Sequence, residues 1–216
     1  MSPVIGRQEC GRFGAWDATN VARVFLELGP SMHALDLGAF SASGTASHEN
    51  RNHSFSVPSG TFHTRTPLFG MSLRGGAFVN RWLYVGGQLD ISGAAMQGPA
   101  ITDGTLTEVP TGVAMFDFGA VAGAMWQAGP ITLRGEVLAG IDVMGLLFSS
   151  HLGACDGPGS AMVAAARIEP RVALEARVTP WTSIGVMGGT NALAVEDWSA
   201  SVYLRWSLRS YDGMRL

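Results

Sequence analysis

The sequence predicts an all-β fold, an eight-stranded antiparallel up-and-down β-barrel that spans a membrane. Three observations carry this prediction. Apolar and polar residues alternate with period two in eight segments, the connections between these segments alternate between short and long, and the chain is poor in charge without containing a membrane helix. Together they favour a closed, membrane-spanning sheet over a helical membrane protein.

The composition is low in charge and rich in glycine. Of the 216 residues 14% are charged, against roughly 25% in an average soluble domain, and 29 are glycine. All 14 basic residues are arginine, and the net charge of −3 includes no basic cluster, which argues against a nucleic-acid surface. No apolar run approaches the roughly 20 residues of a membrane helix, and 47% hydrophobic residues argue against disorder.

The clearest predicted strand lies at 166–178. Its even positions are apolar, whereas Arg or Glu occupies every odd position except Ala173. A helical period would scatter these charges around the axis, but period two places them on one face of a strand. The same alternation marks seven further segments. In chain order, strands are expected at 22–37, 69–79, 83–91, 114–126, 131–143, 166–178, 183–190 and 198–211.

The predicted connections alternate in length. Tight turns with turn-forming residues are expected at 80–81, 127–130 and 179–182, and longer polar connections at 38–67, 92–112, 149–160 and 191–197. Short turns at one end and long loops at the other describe an up-and-down meander, with both termini at the short-turn end. The expected organisation is an N-terminal extension at 1–20, a single barrel domain at 21–211 and a tail at 212–216.

The polar face carries charges of both signs together with glycine, which favours a barrel interior over a solvated face. A narrow eight-stranded barrel is filled by side chains, so interior charges have to pair. Arginine suits such packing because its planar fork bridges two carboxylates, and glycine on the same face would make room for it. The interior set is Arg23, Glu27, Arg74, Asp90, Asp117, Arg134, Glu136, Asp142, Arg167, Glu169, Arg171, Glu175, Arg177, Arg205 and Arg209.

Aromatic residues near the predicted strand ends are candidates for the girdles that membrane barrels place at the lipid–water interface. They are Phe69, Phe116, Trp126, Trp181 and Trp198. Several segments also exceed the ~9–11 residues with which a tilted strand crosses a bilayer. We therefore expect the apolar face to contact lipid, and the alternative is a soluble lipocalin-like barrel with its apolar face inside.

In this arrangement the chain resembles the small eight-stranded outer-membrane barrels of Gram-negative bacteria, such as the OmpA transmembrane domain, OmpX and OmpW. The resemblance covers about 20–211 and rests on architecture, not on a sequence motif. It implies a location in the outer membrane, with short turns in the periplasm and long loops outside the cell. It also implies outer-membrane lipid and lipopolysaccharide as partners.

Two features depart from the family pattern. The family usually ends its last strand on a C-terminal aromatic residue, whereas here Tyr211 is followed by Asp-Gly-Met-Arg-Leu. Pro30 and Pro170 lie within predicted strands, where each removes a ladder donor. A bulge, or a position outside the hydrocarbon, is expected at both.

The N-terminal segment 1–20 lacks the apolar core of a signal peptide, because Arg7, Glu9 and Arg12 stand in its place. Either the protein stays inside the cell or its signal peptide has been removed. The two cysteines, Cys10 and Cys155, fall on opposite sides of the membrane in the predicted topology. They are not expected to form a disulfide.

The loops contain histidines, serines and a glycine-rich segment, but their spacing matches no known metal-binding, catalytic or phosphate-binding motif. The histidines His48, His53, His63 and His151 match no established metal-binding motif. The His-x-Ser element of the lipid A deacylase barrels is absent, although Ser54 and Ser150 are adjacent to histidines. The glycine-rich segment 153–159 lacks the Lys-Ser/Thr and the helix of a phosphate loop. No metal, cofactor or enzymatic activity is therefore expected.

The expected role is that of a monomeric barrel with a plugged, salt-bridged interior. It would act structurally or through an extracellular partner bound by loops 38–67 and 92–112, with no nucleic acid involved. One alternative is an OmpW-like conduit for small or apolar solutes. The other is the soluble ligand-binding barrel.

Overall fold

The computed structural model describes residues 22–49, 51–62, 65–80, 82–104, 106–153 and 155–209. No helix in these ranges has the length and hydropathy needed to cross a membrane. A single 3-10 turn, Leu37–Ala39, follows the first strand. The strands are β1 Ala22–Asp36, β2 Ala42–His48, β3 Arg51–Val57, β4 Arg65–Phe78, β5 Leu83–Ala95, β6 Ile101–Asp103, β7 Leu106–Ala128, β8 Ile131–Leu152, β9 Cys155–Arg177, β10 Thr182–Asn191 and β11 Ala194–Arg209.

Eight of these strands form a closed antiparallel ring in the order β1, β4, β5, β7, β8, β9, β10 and β11. The last strand pairs with the first, so that Leu26 lies opposite Trp206 and Ala34 opposite Trp198. Each neighbouring pair in the ring is consecutive along the chain once the small strands β2, β3 and β6 are set aside. The predicted eight-stranded up-and-down barrel is thereby confirmed.

The two faces of the ring differ as the period-two pattern requires. On β8, Val137 and Ile141 point outward and are exposed, whereas the intervening Leu138 points inward and is fully buried. The same outward apolar surface continues on every strand of the ring. The interpretation as a soluble barrel with its apolar face inside is therefore wrong, because the apolar face of the alternating strands is the exposed outer one and the charged residues of the opposite face are buried inside.

Side-chain acceptors build two of the short turns. Asn80 Oδ1 accepts hydrogen bonds from the backbone N–H groups of Trp82 and Leu83, at 2.7 and 2.9 Å. Thr179 Oγ1 does the same for Trp181 and Thr182, at 3.2 and 3.0 Å. The third turn is the pair 129–130, in which Gly129 takes a positive φ of 60°. These turns define the short-turn end of the barrel, and the opposite end is called the loop end below.

The loop end differs from the prediction. Strands β7, β8 and β9 contain 22 or 23 residues, about twice the ~9–11 that cross a bilayer. The expected long connection at 149–160 is wrong, because β8 ends only at Leu152 and β9 already begins at Cys155. The last connection is also shorter than 191–197 and consists of 192–193. The expected loop 92–112 is also shorter, because β7 begins at Leu106.

The first connection contains a β-hairpin made of β2 and β3, which we call the first-loop hairpin. Strand β2 pairs with the upper part of β9, so that Ser43 lies opposite Met162 and Ala46 opposite Gly159. Strand β10 pairs with the lower part of β9, from Arg177 to Arg171. The first-loop hairpin therefore extends the barrel wall where the short β10–β11 hairpin ends.

The prolines do not produce the expected bulges. Pro30 is exposed on the outer face, and the register between β1 and β4 runs through it without a shift. Pro170 lies opposite Val137 in an unbroken ladder, immediately after the last β9–β10 pair. A register shift occurs instead between Pro110 and Gly112 in the β7–β8 pair. This bulge exchanges the inward and outward positions of β7, since Glu108 and Met115 are both buried.

Candidate functional site

The structure buries twelve of the fifteen charged residues assigned to the interior. They are Glu27, Arg74, Asp90, Asp117, Arg134, Glu136, Asp142, Arg167, Glu169, Arg171, Glu175 and Arg205. Arg177 is half-buried, and the side chains of Arg23 and Arg209 lie outside the described part of the chain. A buried charge is costly unless it is paired. The ion pairs between these residues therefore determine whether the barrel interior, called the bore below, is open or filled.

Near the short-turn end, six of these residues form a connected set that we call the lower network: Glu27, Arg74, Arg134, Glu136, Glu175 and Arg205. Glu27 Oε1 accepts a hydrogen bond from Arg134 Nη1 at 2.7 Å, and its Oε2 accepts one from Arg74 Nη1 at 3.0 Å. Arg74 also donates to Glu136. Arg205 Nη1 donates to Glu175 Oε1 at 2.9 Å. The lower network thus joins five strands, β1, β4, β8, β9 and β11, across the bore.

Arg134 lies at the centre of the lower network and is fully buried. Its Nε is 2.6 Å from Glu175 Oε1, and its Nη2 donates to the Tyr203 hydroxyl at 2.8 Å. The guanidinium carbon lies 5.2 Å from the ring centroid of Tyr203 and 5.5 Å from that of Tyr84, within the range of cation–π attraction. Carboxylates and aromatic rings therefore hold this cation from several sides.

Above it, Asp117, Asp142, Arg167, Glu169 and Arg171 form the upper network. Arg167 Nη1 is 3.3 Å from Asp142 Oδ1 and 3.6 Å from Asp117 Oδ2, and Arg167 also pairs with Glu169. Arg171 Nε is 3.1 Å from Glu169 Oε1. Ion pairing therefore continues through a second layer, which fills the bore with paired charges over a large part of its height.

The interior glycines make room for more than arginine. A Cβ atom on Gly123 would lie 2.5 Å from the Cζ and hydroxyl of Tyr84. One on Gly189 would lie 2.5 Å from Arg171 Cγ. The expectation that these glycines accommodate arginine is correct at Gly189 and wrong at Gly123, where the space is taken by an aromatic ring.

The loop end of the interior is apolar, which the sequence reasoning missed. Its apolar cluster consists of Leu35, Leu37, Ala42, Ala46, Phe55, Val57, Phe62, Leu68, Met96, Leu106, Val113, Met115, Met144, Leu146, Phe148 and Ala161. The rings of Phe55 and Phe148 meet edge to face with centroids 5.3 Å apart. Since Phe55 belongs to the first-loop hairpin and Phe148 to β8, the cluster packs that hairpin against the barrel wall. A partial signal was present in the apolar inward positions of the hairpin, Ala42, Ala46, Phe55 and Val57.

A buried polar group lies beside the apolar cluster. His48 Nε2 is 2.8 Å from Ser150 Oγ, and Ser150 Oγ donates to Glu108 Oε1. All three side chains are buried, and they come from β2, β8 and β7. The contact therefore fastens the first-loop hairpin to two strands of the ring.

This group pairs a serine with a histidine, as a nucleophile and a general base would be paired. In such a site the carboxylate orients the histidine, whereas here Glu108 contacts Ser150. Within the described residues His48 Nδ1 has no hydrogen-bond partner, and Ser150 is 0% exposed. The arrangement suits a structural contact better than a relay that attacks a substrate.

The remaining histidines and the cysteine lie near the outer surface of the loop end. The ring of His53 is 5.9 Å from that of His48, and the exposed His151 Nδ1 is 2.6 Å from Asp156 Oδ1. His63 lies outside the described residues. In the ranges that the structure describes, no group of three or more His, Cys, Asp or Glu side chains is placed to hold a metal.

Cys155 carries a free thiol. Its Sγ donates to Glu49 Oε1 at 3.2 Å. This hydrogen bond, together with the negative charge of Glu49, raises the pKa of the Cys155 thiol. Cys10 lies outside the described residues.

The predicted girdle residues lie on the outer face. Phe69, Phe116, Trp126 and Trp181 are exposed there, and Trp198 is half-buried. Two further tryptophans of the outer face, Trp82 and Trp206, are exposed near the short-turn end. The period-two pattern does not distinguish these two tryptophans from the other outward residues.

No protein-family model and no curated protein matches this sequence. Among solved structures, the chain is similar to the outer membrane protein OprG from Pseudomonas aeruginosa, with a TM-score of 0.52 and 6% identity, over 89% of this chain and 99% of that one. The fold is that of a small Gram-negative outer-membrane β-barrel. Neighbours of this fold include Ail, the attachment invasion locus protein of Yersinia pestis, in complex with the heparin analogue sucrose octasulfate (TM-score 0.43, 11% identity, 86% of this chain and 99% of that one). Neisserial surface protein A is another (TM-score 0.42, 12% identity, 86% and 97%).

Proposed function

We propose that this chain is a monomeric outer-membrane barrel whose interior is closed by paired charges. Its role would be structural or surface-interacting, with no enzymatic activity. The observation that carries the proposal is the lower network, which crosses the bore at the level of Arg134. An ion that passes this level has to separate pairs such as Arg134–Glu27, whose nitrogen and oxygen are 2.7 Å apart. Breaking one buried pair costs about 3–5 kcal/mol, so the closed state is favoured.

The first-loop hairpin supports a surface role. Its outward positions are neutral and polar, and they lie in cross-strand pairs, Ser43 with Ser56 and Thr45 with Ser54. Its inward side belongs to the apolar cluster, so the hairpin presents this polar face from a fixed base. A partner outside the cell would meet the hairpin as a rigid extension of the barrel. Outer-membrane lipid and lipopolysaccharide would surround the apolar belt below it.

Conductance in planar lipid bilayers tests the closed interior. The purified full chain is expected to insert without producing unitary current steps. An Arg134→Ala variant is expected to leak, because it shortens the side chain at the centre of the lower network. Arg51→Ala, on the first-loop hairpin, serves as the matched control and should remain silent. Reproducible unitary steps from the unaltered chain would refute the closed interior.

Adhesion measurements test the surface role. Bacteria that display the barrel are compared on arrays of glycans and extracellular-matrix proteins with bacteria that lack it. A Thr45→Lys/Ser54→Lys variant, which adds charge to the outward face of the first-loop hairpin, is expected to lose the binding. Ala128→Lys at the short-turn end carries a similar change and should retain it. Equal adhesion by cells with and without the barrel would contradict the proposal.

A second candidate function is the binding or passage of an apolar solute, and the apolar cluster favours it. The loop end of the barrel interior is filled by side chains of this cluster, such as Phe55 and Phe62. A solute that enters there would have to displace the first-loop hairpin. An apolar fluorescent probe distinguishes the two cases. Saturable binding to the unaltered barrel, lost when Phe148→Ser makes the cluster polar, would favour the solute role.

A further inference from the structure

The first-loop hairpin ends in a strand with a free edge. Strand β2 pairs with β9 on one side and with β3 on the other. Strand β3 pairs with no further strand in the described part of the chain. The other strand outside the ring that ends the sheet, β6, contains only three residues. The main chain of Arg51–Val57 therefore forms an open sheet edge of seven residues.

The register of the hairpin decides which main-chain groups face this edge. Only two residues separate the paired His48 and Arg51, and the first of them, Glu49, has a positive φ of 45°, as a type I′ turn requires. The pair that flanks such a turn is hydrogen-bonded, and hydrogen-bonded pairs recur at every second position of an antiparallel ladder. The main-chain groups of the odd-numbered residues of β3 therefore point to β2. Those of three even-numbered residues point to the free edge, and these residues are Asn52, Ser54 and Ser56.

The edge offers six main-chain N–H and C=O groups to a partner. Within the described ranges, neither a strand nor a turn contributes a hydrogen bond to these groups, and the side chains of the three residues are exposed. Proteins usually protect such an edge with lysine, proline, a bulge or an inward charge. Residues 52–57 contain no Lys, Pro, Asp or Glu, and their ladder with β2 has no register shift. The edge is therefore suited to pairing with another chain.

The conformation of this edge is already fixed by the barrel. Phe55 and Val57 are buried in the apolar cluster, and near the tip of the hairpin His48 Nε2 lies 2.8 Å from Ser150 Oγ. A strand that is ordered before it binds loses little conformational entropy when a second strand pairs with it. Pairing at this edge would therefore cost ordering mainly on the side of the partner.

The charge at one end of the edge indicates what the partner should carry. Arg51 is exposed, and it forms no ion pair with any residue that the structure describes. All strand pairs of the wall are antiparallel. A complementary segment would therefore run antiparallel to β3, with an acidic residue opposite Arg51 and no charge along the rest of the edge.

We propose that the free edge of β3 binds an extended segment of a partner protein outside the cell, which adds to the sheet as an antiparallel strand. This inference rests on the surface role proposed above and names how the partner is held. Main-chain hydrogen bonds at Asn52, Ser54 and Ser56 supply the affinity. An acidic residue opposite Arg51 fixes the register.

A fluorescent heptapeptide, Val-Thr-Val-Thr-Val-Thr-Glu, tests the pairing with the full chain in detergent micelles. In the proposed register its glutamate lies opposite Arg51 and its threonines lie opposite Asn52, Ser54 and Ser56. Fluorescence anisotropy is expected to show saturable binding. N-methylation of the three threonine amides removes the donors that face β3 and should abolish it, whereas N-methylation of the second and third valine amides, which face away, should preserve it. The proposal is overturned if the unmodified peptide does not bind, or if the two methylated peptides bind equally.

A substitution in the barrel tests the same contact from the other side. Ser54→Pro removes an N–H group from the free edge but keeps the ladder with β2, since proline is tolerated in edge strands where the N–H faces away from the sheet. It should weaken peptide binding about tenfold or more, as the loss of a main-chain hydrogen bond predicts. Ser54→Thr is the matched control and should bind the peptide like the unaltered chain. Equal binding by Ser54→Pro and Ser54→Thr would overturn the proposal.

Adhesion of bacteria that display the barrel separates this proposal from the surface role. Loss of adhesion in Ser54→Pro but not in Ser54→Thr supports strand addition. Equal adhesion by both variants overturns strand addition and leaves the surface role standing, whereas no adhesion by the unaltered barrel contradicts the surface role itself. A dimer of the unaltered chain in micelles that Ser54→Pro dissociates would show that a second copy occupies the edge, and would overturn the assignment to a separate partner.

Discussion

Replacing Arg134 by methionine removes the cation at the centre of the lower network while keeping a side chain of comparable length. Glu27 then retains Arg74 at 3.0 Å and Arg205 at 3.6 Å, and Glu175 retains Arg205 at 2.9 Å. Breaking a buried pair costs about 3–5 kcal/mol. Because both carboxylates keep another arginine, we expect Arg134→Met to lower the free energy of unfolding by about 3 kcal/mol.

Urea titration of the refolded barrel in lipid vesicles, followed by tryptophan fluorescence, measures this change. Arg51→Met is the control for an arginine outside the bore and should change stability by less than about 1 kcal/mol. The double variant Glu27→Gln/Arg134→Met should recover part of the loss, because it also removes one of the carboxylates left behind. A loss no larger for Arg134→Met than for Arg51→Met would refute the claim that paired charges stabilise the interior.

Three further predictions concern other parts of the barrel. Gly123→Ala should destabilise the protein by about 1–3 kcal/mol in the same titration, because the added Cβ would lie 2.5 Å from the ring of Tyr84. Gly135→Ala is the control and should leave stability unchanged, because nothing lies within 4 Å of a Cβ at that position. Ser150→Ala should loosen the first-loop hairpin by about 1–3 kcal/mol, seen as faster amide hydrogen exchange in β2 with unchanged exchange in β10. Glu49→Gln should lower the pKa of the Cys155 thiol, because the hydrogen bond from this thiol to Glu49 raises it. In a chain whose other cysteine is replaced by serine, the pH profile of maleimide labelling should therefore move to lower pH. Unchanged labelling would contradict the contact.

The short-turn half of the fold could be predicted from the sequence because one physical rule governs it. An apolar outer face and a filled interior require an apolar residue and a polar or small residue in alternation, which 166–178 shows directly. The same parity assigned Glu27 and Arg134 to the interior. It could not say which carboxylate each arginine meets, since the partners come from different strands and their meeting depends on barrel closure and stagger.

The loop half obeys a different rule. Its interior is apolar, so inward and outward residues no longer differ in polarity, and the bulge between Pro110 and Gly112 interrupts the parity of β7. The Gly-Pro-rich segment 153–159 indicates a turn by composition, yet most of it lies in β9. The meeting of His48 with Ser150 depends on the docking of β2 on β9, a contact between segments more than a hundred residues apart that no local pattern announces.

The central claim is that the apolar face of the ring contacts lipid while the opposite face is sealed inside. Nuclear Overhauser effects between side-chain methyl groups and the acyl chains of the surrounding detergent test it without any substitution. Methyl groups of Leu133, Val137 and Ile141, which are exposed on β8, should show strong effects. The methyl groups of Leu138 and Val121, buried in the bore, should show none. Acyl-chain contacts at Leu138 and Val121, with none at Leu133 and Ile141, would contradict the account.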